Sequence, residues 1–156
     1  MMNSLIMEHW SAEQREMPGI NCIAFPEGTV IILDIRTYFD PNSNERTMYC
    51  SPVCDTTIDS IVKYNPDCWT MVDVWTSVDY QGGKIIGGDG QMGNEGFIAC
   101  TDAEDHLVWA IFLEDTNPIK KLSVSGNSLI AINEHEELRV EINLHNVVDI
   151  RMTYIG

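Results

Sequence analysis

Two apolar segments, GFIACT at residues 96–101 and HLVWAIFL at residues 106–113, decide the fold of this chain. Each has the length of a strand and is rich in β-branched, aromatic and other apolar side chains. A short acidic turn, Asp102–Asp105, joins the two segments. Two strand-like runs with so short a polar connection predict a β-hairpin.

Strand-like segments continue on both sides of this hairpin. Along residues 68–80 the side chains alternate, with Trp69 and Met71 on one predicted face and Val72 on the other. The sequence from residue 68 onward therefore predicts a mainly β (α+β) fold, an antiparallel meander forming a sandwich or a strongly curved sheet. Its other short strands are expected at residues 84–86, 122–124, 128–133, 138–144 and 148–154.

The first third of the chain adds a second hairpin and a loop. Segments at residues 20–24 and 29–37 have strand patterns, and they flank a Pro-Glu-Gly turn. Residues 40–53 begin with DPNSNER, which is rich in turn-forming residues. We expect residues 40–46 to be a loop and residues 40–53 to be the least ordered part of the chain.

Two short helices complete the expected structure. One is predicted near residues 3–16, with Ser11 as a candidate N-cap, and it should end before the following Pro-Gly pair. The other is predicted at residues 55–64, where apolar side chains recur at helical spacing. Asp55 or Thr56 would cap its N-terminus.

Length and charge limit the classes of function. With 156 residues, the chain is expected to form a single domain over residues 1–156. It carries 24 acidic against 9 basic side chains, a formal net charge of −15. Such a charge repels phosphate groups, so we expect neither nucleic acid nor an anionic membrane as a partner. A basic protein, a cation and a neutral ligand remain open.

The N-terminus and the cysteines indicate a cytoplasmic protein. The first ten residues lack the positive charge and the apolar length of a signal peptide, and no apolar run is long enough to span a bilayer. The five cysteines are odd in number and contain no CxxC pair, so we expect free thiols. Cys50 and Cys54 are the closest pair, and a redox role for them stays open.

No cofactor or metal is expected. Residues 88–93 match GxGxxG, but no strand–helix context surrounds them, and Asp89 would repel a pyrophosphate. We interpret the segment as a glycine-rich loop with several positive φ angles. Calcium bound by Asp89, Asn94 and Glu95 is the minority interpretation, because the spacing is not that of an EF-hand.

The sequence contains no nucleophile or phosphate-binding signature, so we expect a protein that is not an enzyme. Asp73 is the carboxylate that differs from the rest, because it lies within a predicted strand. We interpret it as a buried, salt-bridged residue, with an open face as the alternative. In that alternative, the protein is a β-sandwich ligand-binding module or a small hydrolase that uses Asp73 and the face of Trp69 and Trp75.

Acidic turns between strands are the preferred candidates for partner binding. Turn residues are exposed and held by the sheet, so they can present charge to a basic protein without first being ordered. Nearby aromatic side chains would supply an apolar anchor. The predicted contact residues are Asp102, Glu104, Asp105, Glu134, Glu136 and Glu137, with Asp89 and Glu95 of the glycine-rich segment as second choice.

The C-terminal half resembles the immunity proteins of bacterial contact-dependent growth inhibition and related polymorphic toxin systems. The residues that carry this resemblance are GFIA (96–99), LVWAIFL (107–113), TNPI (116–119) and LIAINE (129–134). The resemblance spans Gly88 to Leu144 and rests on strands and turns. It implies an inhibitor that binds and neutralises a basic toxin domain such as a nuclease.

Overall fold

Twelve strands and two short helices make up the computed structural model, which describes residues 2–156. All strand pairs in this part of the chain are antiparallel. The helices are α1 (Ser4–His9) and α2 (Ile58–Tyr64). The strands are β1 (Glu16–Pro18), β2 (Cys22–Ala24), β3 (Thr29–Asp40), β4 (Glu45–Thr57), β5 (Trp69–Tyr80), β6 (Gly83–Gly90), β7 (Gly96–Thr101), β8 (Leu107–Leu113), β9 (Ile119–Ser125), β10 (Ser128–Asn133), β11 (Leu138–Asn143) and β12 (Asn146–Tyr154).

The strands form one sheet in the order β1-β5-β6-β7-β8-β2-β3-β4-β12-β11-β10-β9. Two meanders, β5 to β8 and β9 to β12, are joined through the N-terminal strands β2, β3 and β4. The sheet curls until β9 lies against β6, where Ile119 and Leu122 of β9 cover Gly87. The prediction of a mainly β fold with a strongly curved antiparallel sheet and short N-terminal helices is confirmed.

The apolar run of β8 is explained by burial on both faces of the sheet. Trp109 and Ile111 face the interior of the curl, where they pack against the second meander. Ala110 and Phe112 face outward and pack beneath the residues of α1, α2 and β1. Strand β7 alternates in the same way. A strand segment that is covered on both sides needs apolar residues on both faces, which explains the run from Trp109 to Leu113, whereas Val108 nearer the helix end is exposed.

The N-terminal helix is shorter than predicted, and a different residue caps it. Asn3 is the N-cap of α1, and its Oδ1 accepts hydrogen bonds from the backbone N–H groups of Leu5 and Ile6. Ser11 lies beyond the helix and forms a tight turn, in which its Oγ accepts from the N–H of Gln14 at 3.1 Å. The serine hydroxyl that suggested a capping box therefore stabilises a reverse turn instead.

The expectation that residues 40–53 are the least ordered part of the chain is wrong, because residues 45–53 belong to a strand and the predicted loop at residues 40–46 is limited to residues 41–44. β3 and β4 form one long hairpin whose turn comprises residues 41–44. The turn-forming residues are there, but the segment after them is paired along its length. The second helix begins later than predicted, and its cap is Thr57, whose Oγ1 accepts from the N–H of Ser60 at 3.1 Å.

The glycine-rich segment is also different from the expected loop. Gly88 and Gly90 lie in β6, and Gly93 is the residue of the GxGxxG match with a positive φ, 86°. A Cβ at Gly88 would collide with the carbonyl oxygen of Asp73, and one at Gly90 with the Glu95 carboxylate. These glycines are explained by close approach of neighbouring atoms rather than by backbone freedom.

The sheet has two ends, which we name the hairpin end and the helix end. The turn of the β3–β4 hairpin and residues 91–95, 114–118 and 134–137 lie at the hairpin end, where the N–H of Asn117 bonds Asn94 and that of Glu134 bonds Pro118. The helices and the turn at residues 102–106 lie at the helix end. Strand β7 has six residues, so the two ends are about 20 Å apart.

Candidate partner-binding site

The structure separates the two predicted acidic turns. Asp102, Glu104 and Asp105 follow β7 at the helix end, whereas Glu134, Glu136 and Glu137 follow β10 at the hairpin end. The sheet therefore presents two acidic surfaces rather than one.

Asp102 shapes the turn at the helix end. Its Oδ1 accepts hydrogen bonds from the backbone N–H groups of His106 at 2.8 Å and Glu104 at 3.0 Å. The bond from His106 is the main reason why the pKa of Asp102 lies below its usual range. Glu104 has no such bond and is exposed, so it is the carboxylate of this turn that is free to meet a partner.

Asp105 is already paired within the chain. Its Oδ2 accepts from Nη2 of Arg15 at 3.0 Å, and the Arg15 guanidinium lies over the Trp10 ring at 5.9 Å. Beside this group is an open pocket of about 500 Å³, lined by Met7, Trp10 and Glu104 among others. The helix end thus combines exposed negative charge with apolar surface.

The same turn holds a group of potential metal ligands that sequence spacing did not reveal. Asp102, Glu104 and His106 each place one ligand atom within 4.8 Å of the others. The Nδ1 of His106 lies 3.4 Å from the Asp102 carboxylate, so the turn's own contacts account for the closeness of these side chains.

At the hairpin end, intrachain contacts engage two of the three predicted carboxylates. Glu136 pairs with Lys121 at 2.6 Å, which lowers its pKa, and with Lys120 at 3.9 Å. Glu137 is half-buried and accepts from the side-chain amide of Asn117 at 3.4 Å. Glu134 is half-buried, lies 3.8 Å from Nε2 of His135 and has no lysine or arginine partner among residues 2–156. Glu134 is therefore the counterpart of Glu104 at this end.

Glu95 is not placed to contact a partner. It is 8% exposed, and its Oε1 accepts from the N–H of Met92 at 3.0 Å beside Gly90. A carboxylate so enclosed stabilises the turn after β6 and does not present charge at the surface.

Asp73 is exposed and has no salt bridge in the described part of the chain, so its interpretation as a buried ion-paired residue is wrong. It lies opposite Asp89 in the β5–β6 pair. Asp89 is half-buried, and its Oδ1 has no hydrogen-bond partner within residues 2–156. Burial raises the pKa of Asp89, the neighbouring Trp75 side chain offsets part of the rise, and the charges of Asp73 and Glu134 add to it.

Replacement of Asp89 by asparagine should stabilise the fold at neutral pH. A raised carboxyl pKa means that the folded state holds the charged form less well than the unfolded state does, so stability falls as pH rises through the folded pKa. We expect Asp89→Asn to raise the unfolding free energy at pH 7 by a few tenths of a kcal/mol, the scale of exposed charge interactions. Urea unfolding at pH 7 and pH 3 measures the effect. A gain in unfolding free energy as large at pH 3 as at pH 7 would show that the gain does not come from removing the Asp89 charge.

The two tryptophans of β5 do not form a common platform. Trp69 stacks on the His9 ring with the centroids 3.7 Å apart, so that one side of its indole is covered. Trp75 is 45% exposed. The two residues are six positions apart on an extended strand, about 20 Å, which is too far for both indoles to hold one sugar ring.

A cleft of about 420 Å³ at the helix end has the residue types of a thiol enzyme. Cys100, Asp102 and His145 are among its lining residues. Burial, followed by the charge of Asp102, raises the pKa of the Cys100 thiol to about 11. A thiol with that pKa is almost fully protonated at neutral pH and is a poor nucleophile.

The exposed apolar and aromatic residues of the β3–β4 hairpin were not among the predicted site residues. Tyr38, Phe39, Tyr49 and Val53 are among the exposed large apolar side chains of the chain. The β-branched and aromatic residues before the PNSN turn (TYF) and after it (TMY) were the available signal.

Comparisons with protein-family models, with curated proteins and with solved structures found no match for this chain. Among residues 2–156, neither helix has the length and apolar character that crossing a bilayer requires.

Proposed function

We propose that this chain is a cytoplasmic inhibitor of the immunity-protein type, which binds a basic toxin domain such as a nuclease and neutralises it without catalysis. Unbalanced negative charge is the observation that carries the proposal. Five of the 24 acidic side chains pair with a lysine or arginine, and they engage six of the nine basic side chains. The other carboxylates of residues 2–156 have no such partner.

An excess of carboxylates suits a cleft that binds phosphate groups. A nuclease cleft carries lysine and arginine side chains, and inhibitor carboxylates attract them before contact and pair with them afterwards. Glu104 and Glu134 are free for this role, since neither has a lysine or arginine partner within residues 2–156. The pocket beside Trp10 supplies apolar surface near Glu104, and charge alone would lack such an anchor.

Co-expression with a toxin tests the proposal. The probe is the protein encoded by the reading frame directly upstream of the gene for this chain. We expect its expression alone to arrest growth and co-expression with this chain to restore it, with a stable complex in size-exclusion chromatography. An unrelated acidic protein of similar net charge is the control for nonspecific neutralisation. The proposal fails if growth stays arrested and the two proteins elute separately.

A further inference from the structure

The β3–β4 hairpin extends beyond the rest of the sheet. Every residue from Arg36 to Thr47 is exposed. Outside the hairpin itself, β4 pairs with β12 at Met48 and Met152, and the Arg46 guanidinium lies over the Tyr154 ring at 5.4 Å. We name residues 34–51 the arm. Since twelve consecutive exposed residues bury little apolar surface, the core of the domain does not explain why this segment is a regular ribbon.

One face of the arm carries an aromatic pair. The register aligns Arg36 with Tyr49 and Tyr38 with Thr47, so these side chains share a face. The rings of Tyr38 and Tyr49 pack edge to face, 5.5 Å between centroids, and remain 53% and 55% exposed. Beside them Arg36 pairs with Asp34 at 2.6 Å, and a shallow cleft of about 520 Å³ runs along this face.

Exposed tyrosines that are held by a strand pair are well suited to binding. Their rings are large, they lose little conformational entropy on contact, and their faces attract cations. Adjacent exposed aromatic rings are uncommon on a surface with no partner.

The negative charge of the arm favours one class of binding partner over others. Its tyrosine face carries three carboxylates, those of Asp34, Asp40 and Glu45. The one basic side chain on this face, Arg36, is already paired with Asp34. A second copy of the chain would bring another −15 charges, and a nucleic acid would bring phosphates, so both are repelled. A cationic protein segment is attracted by the carboxylates and by the ring faces together.

We infer that the tyrosine face of the arm docks an extended, arginine- or lysine-bearing segment of a protein partner, whose cationic side chains lie against Tyr38 and Tyr49. The inference rests on the proposed function for the charge of the partner. It adds a surface that the acidic turns do not include.

The test uses the full chain and a short fluorescent peptide in which arginine alternates with threonine. We expect the double variant Tyr38→Ser/Tyr49→Ser to raise the dissociation constant at least tenfold. Tyr64→Ser is the matched control, because Tyr64 is 80% exposed on α2 and remote from the arm in sequence; it should change the constant less than twofold. Binding of the wild type should shift the ring resonances of Tyr38 and Tyr49.

Equal weakening by the double variant and by Tyr64→Ser would overturn the inference, as would equal binding of a peptide with glutamate in place of arginine. Circular dichroism of the double variant separates loss of binding from loss of folding.

The co-expression assay separates this inference from the proposed function. If the double variant restores growth as well as the wild type does, the arm is not the docking surface, although the inhibitor function stands. If the peptide binds through the tyrosines but no toxin is neutralised, the inference about the arm holds and the proposed inhibitor function fails.

Discussion

Truncation of Phe112 to alanine should lower the free energy of unfolding by about 3–5 kcal/mol, the range for buried phenylalanines. Phe112 is fully buried at the centre of the outer core and packs over Gly90. Its removal takes apolar area out of the core and leaves a cavity, because β2 and β7 hold β8 in place on both sides. Urea denaturation at pH 7, followed by tryptophan fluorescence, measures the change.

Val108→Ala is the matched control, since Val108 lies on the same strand and is 40% exposed. We expect it to lower stability by less than about 1 kcal/mol. A loss for Phe112→Ala no greater than that of the control would show that the outer face of β8 is not a packed core.

Association with the cationic partner should be steeply dependent on salt. We expect the association rate constant to fall about 30-fold between roughly 20 mM and 500 mM salt, within the range reported for electrostatic steering, because exposed charges are screened over a few ångströms at high salt. The double variant Glu104→Lys/Glu134→Lys should lower the rate about tenfold at low salt. Stopped-flow mixing with the toxin identified by co-expression provides both measurements.

Glu27→Lys/Asp67→Lys is the matched control for charge reversal. Both residues are exposed, and the change in net charge is the same. If steering depends on position, this control should slow association less than the turn variant does. Equal slowing by both variants would assign the effect to net charge alone and would remove the support for the turns as the contact surface.

The strands that were predicted well are those whose own residues show a strand pattern bounded by turn-forming residues. Residues 128–133 form a short apolar run, SLIAIN, with polar turns on both sides, and β10 has those bounds. Strand β4, residues 45–57, was not predicted, because most of its side chains are exposed and show no apolar strand pattern. Its strand structure depends on hydrogen bonds to β3 across the turn at residues 41–44, and this pairing is not determined by the residues of either segment alone.

The roles of individual carboxylates were the least predictable feature. Asp73 and Glu95 are both acidic residues beside glycine-rich or aromatic sequence, yet Asp73 is exposed and Glu95 is enclosed. The difference arises from the β5–β6 register and from the turn that folds Glu95 over Gly90. Neither contact has a signal in the neighbouring residues.

The sequence by itself determined the class of the fold, the large negative charge and the turns in which Glu104 and Glu134 lie, because strand patterns and charge are properties of short segments. Only the tertiary structure decided that these turns lie at opposite ends of the sheet and that Asp105 and Glu136 are already paired. It alone revealed that Tyr38 and Tyr49 share one face of a projecting arm. Strand order and register set those positions, and both depend on pairing between segments far apart in the chain.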